Sequence, residues 1–134
     1  VNTYSWYSQL IKPSWAPPAW LFGPVWTVLY AIIALTYGTL FYKAFKGELA
    51  WKLTLPLALN LVFNLAFTPI QFGLRNNFLA AVDILLVVAT LLWAFAAIWQ
   101  KGPQLRWVVY ANLPYFLWSA FATVLQLTIT FLNR

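Results

Sequence analysis

Charge is almost absent from four long stretches of this chain, and that distribution constrains the fold more than any other feature. Residues 19–42, 53–74 and 107–133 contain no Asp, Glu, Lys or Arg, and residues 76–100 contain only Asp83. The remaining charges, Lys12, Lys43, Lys46, Glu48, Lys52, Arg75, Lys101, Arg106 and Arg134, fall between or beyond these runs. A helix needs about 20 apolar residues to cross roughly 30 Å of hydrocarbon. Each run meets that length, so the sequence predicts four membrane-spanning helices in a single domain over 1–134, preceded by a loop at 1–18. Composition agrees: 63% of residues are hydrophobic and 7% charged, against about 25% charged in a soluble domain. The expected fold is an all-α membrane bundle.

Four spans carry the chain back and forth, which puts Lys12, Arg75 and Arg134 on one side of the membrane. Lys43, Lys46, Lys52, Lys101 and Arg106 fall on the other. The richer side is assigned to the cytoplasm by the positive-inside rule. The opening loop and the C-terminus are then non-cytoplasmic. Nothing in the first eighteen residues has the basic start and short apolar core of a signal peptide. A chain that begins outside without an export signal leads to the expectation of a further helix ahead of Val1. The net charge of +6 is spread singly over loop ends, with no stripe to follow a phosphate backbone, so nucleic acid is not an expected partner.

The residue types that are missing narrow the chemistry. The chain has no Cys, His or Met. Disulfides, Cys/His zinc sites, iron–sulfur clusters and His, Met or Cys ligation of haem iron are therefore excluded. A Cys nucleophile and a His general base are excluded as well. Two carboxylates in the whole chain leave little for paired-carboxylate catalysis. The residues argue against an enzyme of ordinary acid–base or metal type.

Residues 12–26, KPSWAPPAWLFGPVW, hold four prolines and three tryptophans. Pro13, Pro17 and Pro18 fix φ and restrict the residues before them, which makes a stiff loop. Pro24 falls in the opening turn of the first span, where proline costs little. The longer string WYSQLIKPSWAPPAWLFGPVWTVLY resembles the hallmark of the tryptophan-rich sensory protein family (TspO), whose animal members are the translocator proteins of mitochondria. NLAFTPIQFGLR, FLAAVDILLV and PYFLWSAFATVL are similar to that family's third, fourth and fifth helix motifs, in order and from Trp6 to the end. There are two departures. Leu65 and Phe67 stand where many members have tryptophan, and VLQLTITFLNR offers Arg134 without the tyrosine of the cholesterol-recognition pattern of animal members. The second departure weakens the case for cholesterol transport.

The resemblance implies a five-helix bundle, of which four spans are visible here, and homodimers. It also implies porphyrins (protoporphyrin or haem) and other tetrapyrroles as ligands, with isoquinoline carboxamides as synthetic competitors and no cofactor required. Carried over by motif, the ligand-binding residues are Tyr7, Trp26, Asn64, Trp118 and Ala122. The leading expectation is a porphyrin-binding sensor, carrier or scavenger. One rival is light-dependent porphyrin degradation, with Trp26 and Trp118 as the oxidisable rings; the other is sterol or lipid transport.

Helical periodicity gives an independent reading. Asn60, Asn64, Thr68 and Gln71 fall within about 80° of arc at 100° per residue. Asn112, Tyr115, Ser119, Thr123, Gln126 and Thr130 line one side of the last span. Polar groups at membrane depth face the bundle interior. For Asn60, Ser119 and Thr123 the expected role is interhelical hydrogen bonding. At about 1.5 Å per residue, Trp26 is placed roughly 10 Å below the loop-side surface, Asn64 about 15 Å, Ala122 about 15–18 Å and Trp118 about 20 Å. An aromatic cavity with one amide under a proline-stiff loop suits a flat apolar ligand. Asp83, without an ionisable partner at depth, is expected to be structural. Thr27, Ala31, Ala34 and Gly38 form a small-residue face suited to close helix packing. Trp51, Trp99 and Trp107 are expected in the interfacial belt, and Pro56, Pro69 and Pro114 where spans begin, end or kink.

The charge distribution makes a direct prediction about sidedness, testable because the chain has no cysteine background. Single cysteines at Ser8 and Asn133 will react with an impermeant thiol reagent applied from the non-cytoplasmic side, and one at Gly47 will not. Labelling at Gly47 alone reverses the topology.

Overall fold

A computed structural model describes residues 10–17, 19–101 and 103–133. Among them there is no β-strand, and the helices are α1 (Phe22–Phe45), α2 (Thr54–Thr68), α3 (Asn77–Trp99), α4 (Arg106–Ala111) and α5 (Leu113–Leu132). Short 3₁₀ turns lead into α1, α2 and α4, and a π turn, Pro69–Gly73, extends α2. Four of these elements are long and apolar enough to cross a membrane: Phe22–Phe45, Trp51–Gln71, Asn77–Trp99 and Leu113–Leu132. The chain is an all-α, multi-pass membrane protein. The end of the bundle where residues 10–17 meet Asn133 is termed the loop end, and the opposite end the lysine end.

The spans begin and end where proline and polar residues dictate. Pro24, Pro56 and Pro114 all sit in first turns, where the missing N–H would have no intrahelical acceptor. Pro69 instead follows fifteen residues of regular helix. It cannot donate to the carbonyl four residues back, and the chain relaxes into the π turn, closed by Leu74 N donating to Pro69 O at 2.9 Å. The continuous span expected over 107–133 is broken at Asn112. Pro114 lacks the N–H that would continue the helix onto Tyr110 O, and the Asn112 side chain at the break donates to Val108 O at 2.9 Å. Its Nδ2 also reaches Thr36 Oγ1 on α1 at 3.0 Å. The Asn76 side chain caps α3 by accepting from Leu79 N at 2.9 Å.

The packing is uneven. α3 lies closely against both α2 and α5, whereas α1 makes only light backbone approaches to its neighbours. The core shared by all the spans includes Leu29, Ile33, Leu40, Leu57, Ile84, Val87, Leu91 and Tyr115. Lipid-facing positions such as Leu35, Val62, Phe78 and Leu117 are exposed, as they must be where lipid rather than water is the outer solvent. Thr27, Ala31, Ala34 and Gly38 face outward, so among the described residues that small-residue face packs against nothing in the bundle. Trp51, Trp99 and Trp107 are exposed at helix ends, and the Arg106 guanidinium lies 4.2 Å from the Trp99 ring centroid.

Hydrogen bonds concentrate at one side chain. Asn60 Oδ1 accepts from Tyr37 Oη on α1 and Tyr115 Oη on α5, each at 2.8 Å. Its Nδ2 donates to Val87 O at 2.9 Å and Thr90 Oγ1 at 3.2 Å on α3. Asn60 therefore joins its own helix to three others. Thr123, expected to bond between helices, bonds within α5 to Ser119 O at 2.7 Å, and the buried Ser119 hydroxyl has no partner among the described residues. Asn60→Leu should lower stability in detergent by about 2–4 kcal/mol, because it leaves two buried tyrosine O–H donors without their acceptor. Thr123→Ala should change it by less than about 0.5 kcal/mol, since only an intrahelical bond is lost. Urea or SDS titration of the purified variants reads both.

Candidate ligand cavity

The loop end of the bundle is built around an offset between helices. Phe22, the first residue of α1, has its ring 6.0 Å from that of Trp118, and Trp118 lies well inside α5. At about 1.5 Å per residue, roughly 20 Å of α5 extends past Trp118 toward Asn133. α1 thus starts deeper than its neighbours, and the loop descends to meet it. Asn133 pins the top of the descent: Ile11 N donates to Asn133 Oδ1 at 3.0 Å, and Asn133 Nδ2 donates to Ile11 O at 2.8 Å. Lower down, the Trp15 ring stands edge-on to Phe121 at 5.8 Å. Leu10 and Ala16 pack with Phe22 and Phe121 on the buried Leu125 and Ile129.

This offset corrects the depth count made from the sequence. Counting from residue 19 put Trp26 roughly 10 Å and Trp118 roughly 20 Å below the loop-side surface, in one pocket at overlapping depths. With α1 starting beside Trp118, the two tryptophans line one cavity of about 70 Å³. Ala122 lines it too. The remaining wall is aromatic and aliphatic, with Phe22 from α1, Phe67 from α2, Ile84 from α3 and Phe121, Leu125 and Ile129 from α5. Its polar positions are Thr68, Gln71 and Gln126. Gln126 Nε2 donates to Gln71 Oε1 and to Asn77 O, both at 3.1 Å. Gln71 Nε2 donates to Asn77 Oδ1 at 3.1 Å. The two glutamines therefore form a fixed amide edge across α2, α3 and α5.

Asn64 is placed differently from Trp26, Trp118 and Ala122. It is buried but absent from the cavity lining. Its Oδ1 accepts from Tyr30 Oη at 2.9 Å and its Nδ2 donates to Tyr115 Oη at 2.8 Å. An asparagine whose oxygen and nitrogen are both engaged by tyrosines acts first as a spacer. It holds Tyr115, against which Trp26 stands at 6.4 Å, and Tyr30, beside Trp26 at 5.5 Å. Tyr7 lies outside the described residues. Asp83 is buried on α3, and its Oδ2 has no hydrogen-bond partner among the described residues.

The cavity residues that sequence reasoning did not single out divide into two kinds. Gln71 and Gln126 were on the polar faces read from periodicity, so their inward direction was visible but not their meeting. Phe22 and Phe121 carry no polar signal, and Phe67 stood out only as a position where many family members have tryptophan. They are indistinguishable by type from the lipid-facing Phe78 and Phe131, and only the packing selects them.

Similarity to known proteins agrees with this architecture. A family model, the TspO/MBR family, matches residues 1–132. The chain is 42% identical over 130 residues to the tryptophan-rich protein TspO of Bacillus cereus, covering 96% of this chain and 81% of that protein. It is 40% identical over 124 residues to the human translocator protein, covering 90% of this chain and 70% of the relative. An uncharacterized membrane protein of Bacillus subtilis, YtaB, is 40% identical over 128 residues, with coverage of 96% and 80%.

Proposed function

This chain belongs to the TspO/MBR family, and from that premise we propose that it binds porphyrin-like tetrapyrroles as a membrane sensor, carrier or scavenger. Family membership supports the broader role of a membrane sensor or transporter. The finer assignment to tetrapyrroles rests on one observation. Trp26, Trp118 and Ala122, from two helices, meet on one cavity together with Phe22, Phe67 and Phe121. Rings on several sides suit a flat π-system, and the hydrogen-bonded Gln71–Gln126 pair gives that wall a polar edge. Isoquinoline carboxamides likewise present flat fused rings, with a single amide as their polar group.

A cavity of about 70 Å³ is far below the roughly 300 Å³ of an ordinary ligand pocket. Ligand binding therefore requires ring movement. Trp118 is the ring most ready to move, because its Nε1 is buried without a hydrogen-bond partner among the described residues and packing holds it there. With no His, Met or Cys, the ligand is held by its ring rather than through its iron, and metal-free protoporphyrin binds as well as haem. A second copy packed on the outward small-residue face of α1 fits the homodimer that the family resemblance implies.

Protoporphyrin titration tests the reading. Bound protoporphyrin should quench tryptophan emission saturably. Trp118→Phe should weaken binding about five- to twentyfold, a loss of roughly 1–2 kcal/mol for a displaced ring contact. Trp51→Phe should leave affinity unchanged; equal losses at both positions mean that the ligand sits elsewhere.

Light-driven degradation is the second reading, favoured by the indoles of Trp26 and Trp118 on the same wall. A bound porphyrin is itself a photosensitiser, and oxidation of a neighbouring indole needs no acid–base group. The main absorption band should persist in darkness with or without reductant. Under illumination in air, any bleaching should change rate in Trp118→Phe. Steady loss of the band in darkness by the purified protein overturns the binder assignment.

A further inference from the structure

Trp118 and Phe121 belong to two spaces at once. On one side they line the interior cavity. On the other they line an open groove of about 570 Å³ on the seam between α1 and α5, whose remaining walls are Pro24, Val25, Val28, Leu29, Pro114 and Leu117. Every residue of that groove is apolar, and Val28 and Leu117 are exposed to the lipid side. The two rings, 5.5 Å apart, are thus a partition between bilayer core and cavity.

We propose that this seam is a lateral portal, through which a flat apolar ligand passes between the hydrocarbon core and the cavity as Trp118 swings aside from Phe121. The proposal rests on the tetrapyrrole-binding reading and adds the route. Three features of the molecule favour the seam over the loop end. The described part of the loop is tied down by the paired Ile11–Asn133 hydrogen bonds and by Leu10 and Ala16 packed on Leu125 and Ile129. The loop end also carries the Gln71–Gln126–Asn77 hydrogen bonds, which an apolar ligand passing between α2, α3 and α5 would have to break. At the seam, by contrast, α1 and α5 approach each other only slightly, and Trp118 Nε1 has no hydrogen bond among the described residues to lose. An apolar ligand is already concentrated in the bilayer, so a lateral route spares it transfer into water.

Cross-linking separates the two routes. Cysteines replacing Val28 and Leu117, neither of which lines the cavity, are joined by a bifunctional thiol reagent after the protein has folded in nanodiscs. A second pair replacing Ile11 and Asn133 staples the loop. Each pair before cross-linking serves as its own control for folding. Protoporphyrin is supplied from preloaded vesicles, and tryptophan quenching is followed in time. The seam staple should slow association at least about fivefold, as expected for a gated step, while the equilibrium amplitude is retained. The loop staple should leave the rate within about twofold. Leu117→Trp, which fills the groove without a cross-link, should slow association in the same direction. Full amplitude with an unchanged rate in the seam staple, or slowing only in the loop staple, overturns the portal alone. Absence of saturable quenching in the unmodified protein overturns the binding reading and the portal with it.

Discussion

The side-chain amide of Asn60 is the point on which the bundle depends. In a bilayer, burying Leu or Phe between helices gains little, because the lipid tails outside are equally apolar. Helices are selected as neighbours by close packing and by polar groups that cannot be left bare. Asn60 uses its oxygen twice and its nitrogen twice, reaching Tyr37, Tyr115, Val87 and Thr90. Asn64 repeats the device one turn nearer the loop end with Tyr30 and Tyr115. Together they set the register of α1 and α5 against α2. That register brings Trp26 beside Tyr115 and determines which aromatic residues of α5 can face the interior.

Much of this was legible in the sequence, and the reasons are physical. Charge cannot remain at bilayer depth, so the uncharged runs mark the spans directly. Polar side chains at depth must point inward, so the stripe of Asn60, Asn64 and Gln71 gave the inner face of α2. What periodicity cannot express is the vertical offset between helices. Each span was counted from its own charged end, as if all began at one surface. α1 does not, and the count therefore overstated the depth difference between Trp26 and Trp118 while still grouping them in one pocket. Nor does the pattern reveal which partner an inward polar group finds. Asn64 was read as a pocket amide, yet tyrosines take both its oxygen and its nitrogen. Local chemistry also overrode the long apolar run at 107–133, where Pro114 and the side chain of Asn112 divide one span into two helices.

The interior is divided by polarity along its length. Its middle is filled by the tyrosine–asparagine hydrogen bonds, and toward the lysine end the Asn112–Thr36 bond continues them. Around Trp26 and Trp118 the filling changes to rings held by contact alone, and beyond them the Gln71–Gln126 edge closes the cavity. The two kinds of filling differ in how they yield. Separating the tyrosines from the asparagines would strand several donors and acceptors in hydrocarbon, each at a cost of about 1–3 kcal/mol. Turning a ring that makes no hydrogen bond costs only its packing. Rigidity is therefore concentrated where the helices are joined, and compliance where a ligand would have to fit.

The same accounting explains why the loop is built from proline and tryptophan. Because α1 starts beside the middle of α5, the chain before it must descend along apolar surface without forming a helix. An irregular backbone in that position would leave N–H groups with neither water nor a helical partner, which is tolerated only where protein shields it. Proline removes the donor altogether, so Pro13 and Pro17 lower the number of groups that need satisfying. Those that remain find short local partners, as Ala16 N does in donating to Pro13 O at 3.1 Å. Tryptophan supplies the large surface that an extended segment otherwise lacks, and Trp15 uses it to cover Phe121. The loop thus rests against one of the two rings that separate cavity from bilayer. A loop stiffened by proline limits how far Phe121 can shift, which leaves Trp118, unbonded and two-sided, as the ring with most freedom to admit a ligand.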